Sequence, residues 1–334
     1  MNNFVSVKNV SQIFSPNLSI GEKIASQLGA KVETRSIHAV SDVSLSIAKG
    51  ETLGLVGESG CGKSTLGRLI AGILTPSLGE ILIDDAPVMH NGQKITTRVQ
   101  TVFQDPFASL DPRMQVGHTV TEGPLAHGLT SKFRAKEYAS NWFKRVGLDP
   151  VWLDRYPHQF SGGQRQRIAI ARALAMTPDV LICDEPVASL DVSIQAQIIN
   201  LFLELTRELE LTTLFISHDL SVVQHLSDRV AIMYLGKIVE IGPTTEVFLR
   251  PAHPYTDALF GSVPKLVLND DELVSFDAIE GEIPSPLSPP SGCFYHPRCP
   301  IASGKCNKII PLEESISKNR RVACHEKEKQ LSKS

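Results

Sequence analysis

Residues 52–74 read TLGLVGESGCGKSTLGRLIAGIL, an apolar strand, a glycine-rich loop and a helix in one run. Its centre, GESGCGKST (57–65), fits the pattern Gly, four residues, Gly-Lys-Ser/Thr that cradles phosphate. The strand before it and the helix after it are the context the pattern requires. Gly57, Gly60 and Gly62 let backbone N–H groups close around phosphate oxygens, at a helix N-terminus that favours anions. Lys63 supplies a charge that reaches β and γ phosphates, and Ser64 a hydroxyl for Mg²⁺. Glu58, Ser59, Cys61 and Thr65 complete the stretch expected to surround the nucleotide, Cys61 with no catalytic role.

A second stretch, VLICDEP (180–186), is a short apolar run closed by two acids, which suits a buried parallel strand. Asp184, at its carboxyl end, is placed to hold Mg²⁺ or its waters. Glu185, one residue on, can orient or deprotonate an attacking water. Cys183 reads as a small buried hydrophobe beside them.

Working outward, residues 3–14 alternate apolar and polar as an edge strand would, and residues 37–51 alternate in the same way. Residues 15–36 between them could hold one or two short amphipathic turns, but a surface loop is the favoured reading. GEILIDD (79–85), RVQTVFQD (98–105) and TTLFISHD (212–219) are further strands. QAQIINLFLELTREL (195–209) carries Ile198, Ile199, Phe202 and Leu205 at helical spacing, and RVAIMYLGKIVEIGP (229–243) reads as a hairpin turning at Leu235-Gly236-Lys237. Residues 105–175 are richer in helix. Alternating strands and helices around the loop predict an α/β layered core with an N-terminal antiparallel β region, the helical block being an insertion. After residue 250 proline and cysteine increase, which marks a boundary between a domain over 1–250 and an extension over 251–334.

Composition is that of a packed globular protein, with 42% apolar and 21% charged residues. A formal net charge of -3 gives no general electrostatic case for nucleic acid or an anionic membrane. No apolar run approaches the roughly 20 residues needed to cross a bilayer. The N-terminus lacks a signal-peptide layout, so the chain is expected in the cytoplasm unless something else holds it to a membrane.

FSGGQRQRIAIARAL (160–174) resembles the signature motif of ABC transporter ATPases, which phosphate-loop kinases and GTPases lack. The rest of that family's set follows in order: QD at 104–105 is similar to the Q-loop, SLD at 189–191 to the D-loop, and SHD at 217–219 to the switch histidine. The resemblance covers residues 3–250 and implies ATP and Mg²⁺. It implies that Gln104 contacts Mg²⁺ or the water and reports nucleotide state to membrane subunits. Ser161, Gly162, Gly163 and Gln164 would open a helix onto a phosphate of ATP held by a second ATPase subunit. Asp191 would lie across that seam, and His218 would touch the γ phosphate. Phe14 stands where the family stacks an aromatic, more commonly Tyr, on adenine.

FQDPFASLDPR (103–113), PAHPYTDALFGSVP (251–264) and GEIPSPLSPPSGCFYHPRCP (281–300) resemble the ATP-binding subunits of oligopeptide and dipeptide ABC importers. Nickel importers share much of this pattern. The resemblance implies an ATPase at the cytoplasmic face of the membrane, under two permease subunits fed by an external solute-binding protein. Four cysteines, Cys293, Cys299, Cys306 and Cys324, follow the spacing C-x5-C-x6-C-x17-C in this tail. Stable disulfides are rare in a reducing compartment, and thiolate clusters bind zinc or iron–sulfur centres. The spacing lacks the close pairs of zinc ribbons. By resemblance to the peptide importers the four would ligate a four-iron four-sulfur cluster; zinc and metal-free thiols stay open, with His296 and His325 as substitute ligands or plain loop residues. Two rival readings remain: an exporter subunit, and a soluble ABC ATPase acting on ribosomes or DNA.

Overall fold

A computed structural model describes residues 3–15, 36–262 and 279–332, so the insertion expected between strands, apart from its ends, lies outside the described residues. Strand β1 (Asn3–Phe14) pairs antiparallel with β2 (Ile37–Ala48) on one side. Strand β3 (Thr52–Val56) leads into the phosphate loop and helix α1 (Lys63–Ile70). Strand β4 (Leu78–Ile83) covers the other side of β1 and carries the short β5 (Ala86–Pro87). The sheet order β2-β1-β4-β5 therefore places β1 inside, and its reading as an edge strand is corrected. Alternation marks a half-buried strand, and an edge strand alternates in the same way, so the pattern did not distinguish them. A two-residue pair, β6 (Met89–His90) and β7 (Gln93–Lys94), precedes β8 (Val99–Val102).

The helical block holds α2 (Pro106–Ser109), α3 (Val116–Ala126), α4 (Ala135–Arg145) and α5 (Gly162–Leu174). Val116, Val120, Phe143 and Ile168 close its core. Strand β9 (Val180–Asp184) then enters the main sheet, followed by α6 (Val192–Glu208) and β10 (Thr212–Ile216). Helix α6 buries Ile198, Phe202 and Leu205 as the spacing predicts, while Ile199 is only half-buried. Helix α7 (Leu220–Leu226) is capped by Asp219, whose Oδ1 accepts from the N–H groups of Ser221 and Val222 at 2.9 and 3.2 Å. Strands β11 (Arg229–Tyr234) and β12 (Lys237–Pro243) form the expected hairpin, with Leu235 and Gly236 both at positive φ in a two-residue turn. Helices α8 (Thr244–Leu249) and α9 (Pro254–Gly261) follow.

The main sheet runs β13-β14-β12-β11-β3-β10-β9-β8, where β13 is Glu314–Ser317 and β14 is Arg320–Val322; helix α10 (Lys327–Leu331) ends the fold. Strands β8, β9, β10, β3 and β11 are parallel. Every residue of β9 and β10 is buried, as expected of parallel strands covered on both faces. The tail thus returns to the main sheet through β14, which pairs antiparallel with β12.

Glu240 on β12 secures that return. Its Oε1 accepts from Arg320 Nε at 3.0 Å and Nη2 at 2.5 Å, and its Oε2 accepts from the His253 N–H at 2.9 Å. The Ala252 N–H donates to the same carboxylate at 3.1 Å. Both charged side chains are buried, so removing one leaves the other's charge buried without its counter-charge. Glu240→Ala should cost about 3–5 kcal/mol in chemical denaturation, while a surface pair such as Lys8–Glu80 should cost under ~1 kcal/mol.

Candidate functional site

Strand register builds the site. Leu55 of β3 and Asp184 of β9 both lie opposite Ile216 of β10, so three strands end at one level. The phosphate loop, the acidic pair and Ser217-His218-Asp219 leave the sheet together, at the carboxyl edge where α/β folds bind ligands. A cavity of ≈ 300 Å³ lies there, lined by Ser59 through Thr65, Gln104 and Glu185, and closed by Ile37-His38-Ala39, Leu235-Gly236 and Pro286.

Gly57 and Gly62 have φ of 155° and 109°, and a Cβ would lie 2.1 Å from the Met233 carbonyl oxygen and 2.2 Å from the Ala39 carbonyl oxygen. No other residue fits either place, because backbone cannot yield as a side chain can. Lys63 Nζ, itself buried, donates to the carbonyls of Gly57 at 2.7 Å and Glu58 at 3.0 Å, folding over the loop it belongs to. Ser64 Oγ donates to Asp184 Oδ1 at 2.8 Å. Burial raises the Asp184 carboxyl above its ordinary value, and the Ser64 hydrogen bond opposes that rise. Burial likewise raises the Cys61 thiol, and Cys183 is fully enclosed within the core.

Glu185 is the first residue beyond β9 and has φ of 49°, a conformation a non-glycine residue adopts at a cost. Its N–H donates to the Ile216 carbonyl at 3.0 Å, which fixes the turn. Its Oε2 accepts from Gln104 Nε2 at 3.3 Å and lies 3.1 Å from His218 Nδ1. Glu185 is 17% exposed and His218 61%, so a largely covered acid faces a histidine open to solvent.

The remaining expected residues lie apart from this cavity. Ser161 caps α5 in a reciprocal box: its Oγ accepts from the Gln164 N–H at 3.3 Å, and Gln164 Oε1 accepts from the Ser161 N–H at 3.0 Å. Gly163 packs against Ile194 of α6, where a Cβ would meet its Cγ2 at 2.5 Å. Asp191 is exposed at the N-terminus of α6. Ser161, Gly162, Gly163, Gln164 and Asp191 are absent from the cavity lining. Phe14 is also absent from it; 41% exposed, it pairs in register with Ile37, which does line the cavity.

Tyr255, Pro286 and Arg298 were not expected here. The Tyr255 hydroxyl accepts from the Glu58 N–H at 2.9 Å, and Arg298 grips the Glu58 carboxylate. Arg298 lies within HPRC (296–299), but nothing in that stretch marks a partner 240 residues away.

The tail cysteines are drawn near one another. The Cys293 N–H donates to the Cys306 carbonyl at 2.8 Å. Burial, and then the proximity of Cys306 and Cys299, drives the Cys293 thiol up to about 11. Burial, with Cys293, Cys299 and Cys306 close by, drives Cys324 up to about 12. Among the described residues no three or more His, Cys, Asp or Glu side chains are arranged to hold a metal ion. His296 Nδ1 and His325 Nε2 meet the carbonyl oxygens of Cys293 and Ile309, both at 2.9 Å.

The ABC transporter family profile matches residues 40–188, and that of the oligopeptide/dipeptide transporter C-terminal region matches residues 239–306. The chain is 48% identical over 294 residues to the oligopeptide transport ATP-binding protein AppF of Bacillus subtilis strain 168, covering 86% of this chain and 89% of that protein. It belongs to the ATP-binding subunits of oligopeptide/dipeptide-type ABC transporters. The oligopeptide transport ATP-binding protein OppF of Escherichia coli K12 is 47% identical, with 87% of this chain and 88% of that one covered. Among solved structures, cbiO1 of Clostridium perfringens, part of the ABC transporter complex cbiONQ, superposes with a TM-score of 0.60 at 32% identity over 75% of this chain and 92% of its own. A dimer of the ATP-binding cassette MJ0796 in a post-hydrolysis state, bound to ADP and Pi, gives 0.60 at 29% identity, covering 72% of this chain and 98% of that one. The fold is that of the ABC ATPases.

Gly62→Ala should abolish nucleotide binding by the purified chain while its far-UV circular dichroism stays unchanged. The added methyl has nowhere to go but into the Ala39 carbonyl at the cavity wall.

Proposed function

We propose that this chain hydrolyses ATP at the cavity above its phosphate loop to drive uptake of peptides. In this reading it lies at the cytoplasmic face of the membrane, beneath two permease subunits supplied by a solute-binding protein. Residues 1–250 act as the nucleotide-binding domain, with 105–175 inserted, and residues 251–334 as the extension of the peptide branch. One observation carries the chemistry: a single oxygen, Glu185 Oε2, meets both Gln104 and His218 at the cavity rim.

Residues 57–65 surround the phosphates through backbone N–H groups, with Lys63 swinging from its own loop carbonyls to the β and γ oxygens. Ser64 and Asp184, already paired, together with Gln104, offer the hard oxygens that suit Mg²⁺. That ion, when bound, neutralises charge on the transferring phosphate. Glu185 takes the proton of the attacking water as the general base. Gln104 positions that water, and His218 contacts the γ phosphate from the open side. Ser161, Gly162, Gly163 and Gln164, which do not line this cavity, serve the ATP of a second ATPase subunit, with Asp191 at the seam. Phe14, beside Ile37, stacks on the adenine.

Glu185→Gln should retain ATP binding and lower turnover at least ~100-fold, as loss of a general base does. Phosphate release measured on the full chain decides this, and near-normal turnover would remove Glu185 from the role.

We assign the four tail cysteines to a four-iron four-sulfur cluster. The proximity of Cys299 and Cys306 to Cys293, and of all three to Cys324, supports this reading. A single zinc would need sulfurs about 3.8 Å apart around bonds of ~2.3 Å, whereas a cluster's four irons each take one thiolate from a wider frame. Raised thiols must then give up protons to the metal, so loading should weaken at low pH. The chain purified without oxygen should carry about four irons and four sulfides. Zinc alone, or no metal, would overturn the assignment and leave the ATPase intact.

A further inference from the structure

Glu58 is an acid inside a loop that must receive a polyanion. Its carboxylate nevertheless faces the tail. Arg298 Nη1 donates to Oε2 at 2.8 Å and Nη2 to Oε1 at 3.0 Å, a two-pronged pair in which the Arg298 side chain is 3% exposed and Glu58 17%. The guanidinium is fixed on its other sides. Its Nε donates to the Glu280 carbonyl at 3.2 Å, and Nη1 also reaches the Tyr234 hydroxyl at 3.4 Å. Tyr234, Tyr255 and Tyr295 pack together, with ring centroids 4.6 to 5.4 Å apart, and Arg298 lies 6.0 Å from the rings of Tyr234 and Tyr295. The Glu58 peptide is held at each polar point: N–H to the Tyr255 hydroxyl, C=O to Lys63 Nζ, carboxylate to Arg298.

We propose that Arg298 is a positioning residue for ATP binding: it neutralises Glu58 and, with Tyr255, holds the phosphate loop open to the triphosphate. The inference rests on the nucleotide-site reading above. The paired loop leaves Lys63 as its uncompensated charge. Without Arg298, a partly buried carboxylate loses its counter-charge next to incoming phosphates, and the loop relaxes to hydrate it. The C-terminal extension is then a wall of the nucleotide site, which also accounts for Pro286 in the cavity lining.

Titration of the full chain with Mg-ATP tests this, alongside steady-state hydrolysis and a thermal melt without nucleotide. Arg298→Ala should weaken ATP binding about tenfold or more, raising KM while kcat stays within about threefold, because Glu185 and His218 are untouched. Adding Glu58→Gln to that variant should restore most of the affinity, since the unpaired charge is gone. Arg298→Lys, keeping charge without the fork, should fall between. Tyr255→Phe, which removes only the hydroxyl and preserves the ring packing, should weaken binding a few-fold and provides the test if Arg298→Ala melts early. Unchanged affinity in a folded Arg298→Ala chain overturns the proposal. So does a loss that Glu58→Gln does not repair, because Arg298 would then only anchor the tail. If Lys63→Ala binds ATP as tightly as the unaltered chain, the nucleotide-site reading itself fails, which is a separate result.

Discussion

The site depends on strand register. Ile216 lies opposite both Leu55 and Asp184, so the strands that carry the phosphate loop, the acids and the histidine all end at one height. A slip of one residue would turn Asp184 to the other face of the sheet and withdraw it from Ser64. Nothing in the loop itself prevents such a slip. Burial does, since every residue of β9 and β10 is enclosed and each face is matched to its own layer of core.

Conformational cost is concentrated where that edge meets the cavity. Gly57, Gly62 and Glu185 all hold positive φ, and Leu235-Gly236 closes the cavity from the β11–β12 hairpin. Surrounding contacts determine each one: the Met233 and Ala39 carbonyls crowd the two glycines, and the Ile216 carbonyl binds the Glu185 N–H. The glycines adopt this backbone freely, and the strain held at Glu185 keeps its carboxylate ready without waiting for ligand to order it.

Local chemistry was legible in the sequence, and distant chemistry was not. Gly57 to Thr65 and Asp184-Glu185 announce themselves because neighbouring residues form the motif, and periodicity located Ile198, Phe202 and Leu205 on the buried face of α6. The contact of Glu185 with Gln104 and His218 was foreshadowed only by family resemblance, since 81 and 33 residues separate the partners. Two features were illegible. Alternation in residues 3–14 fits an interior strand as well as an edge strand, and β4 pairs with β1 from 67 or more residues away. Arg298 is one basic residue beside a cysteine, and its meaning exists only once β12 and β14 bring the tail back to the loop.

The two ends of the chain therefore enter one site in different capacities. Strands β3, β9 and β10 bring Ser64, Asp184, Glu185 and His218 to one edge, and the tail supplies constraint. Glu240, buried between Arg320 and the N–H groups of Ala252 and His253, fixes where the tail rejoins the sheet. Tyr255 lies two residues beyond His253, so the same node sets the height at which its hydroxyl meets Glu58. Cys299 directly follows Arg298, so whatever orders the cysteine segment also orders the guanidinium that faces the phosphate loop. An extension that served only as a docking appendage would have no need to place a buried, two-pronged ion pair against that loop. The geometry instead makes nucleotide binding answerable to the state of the tail.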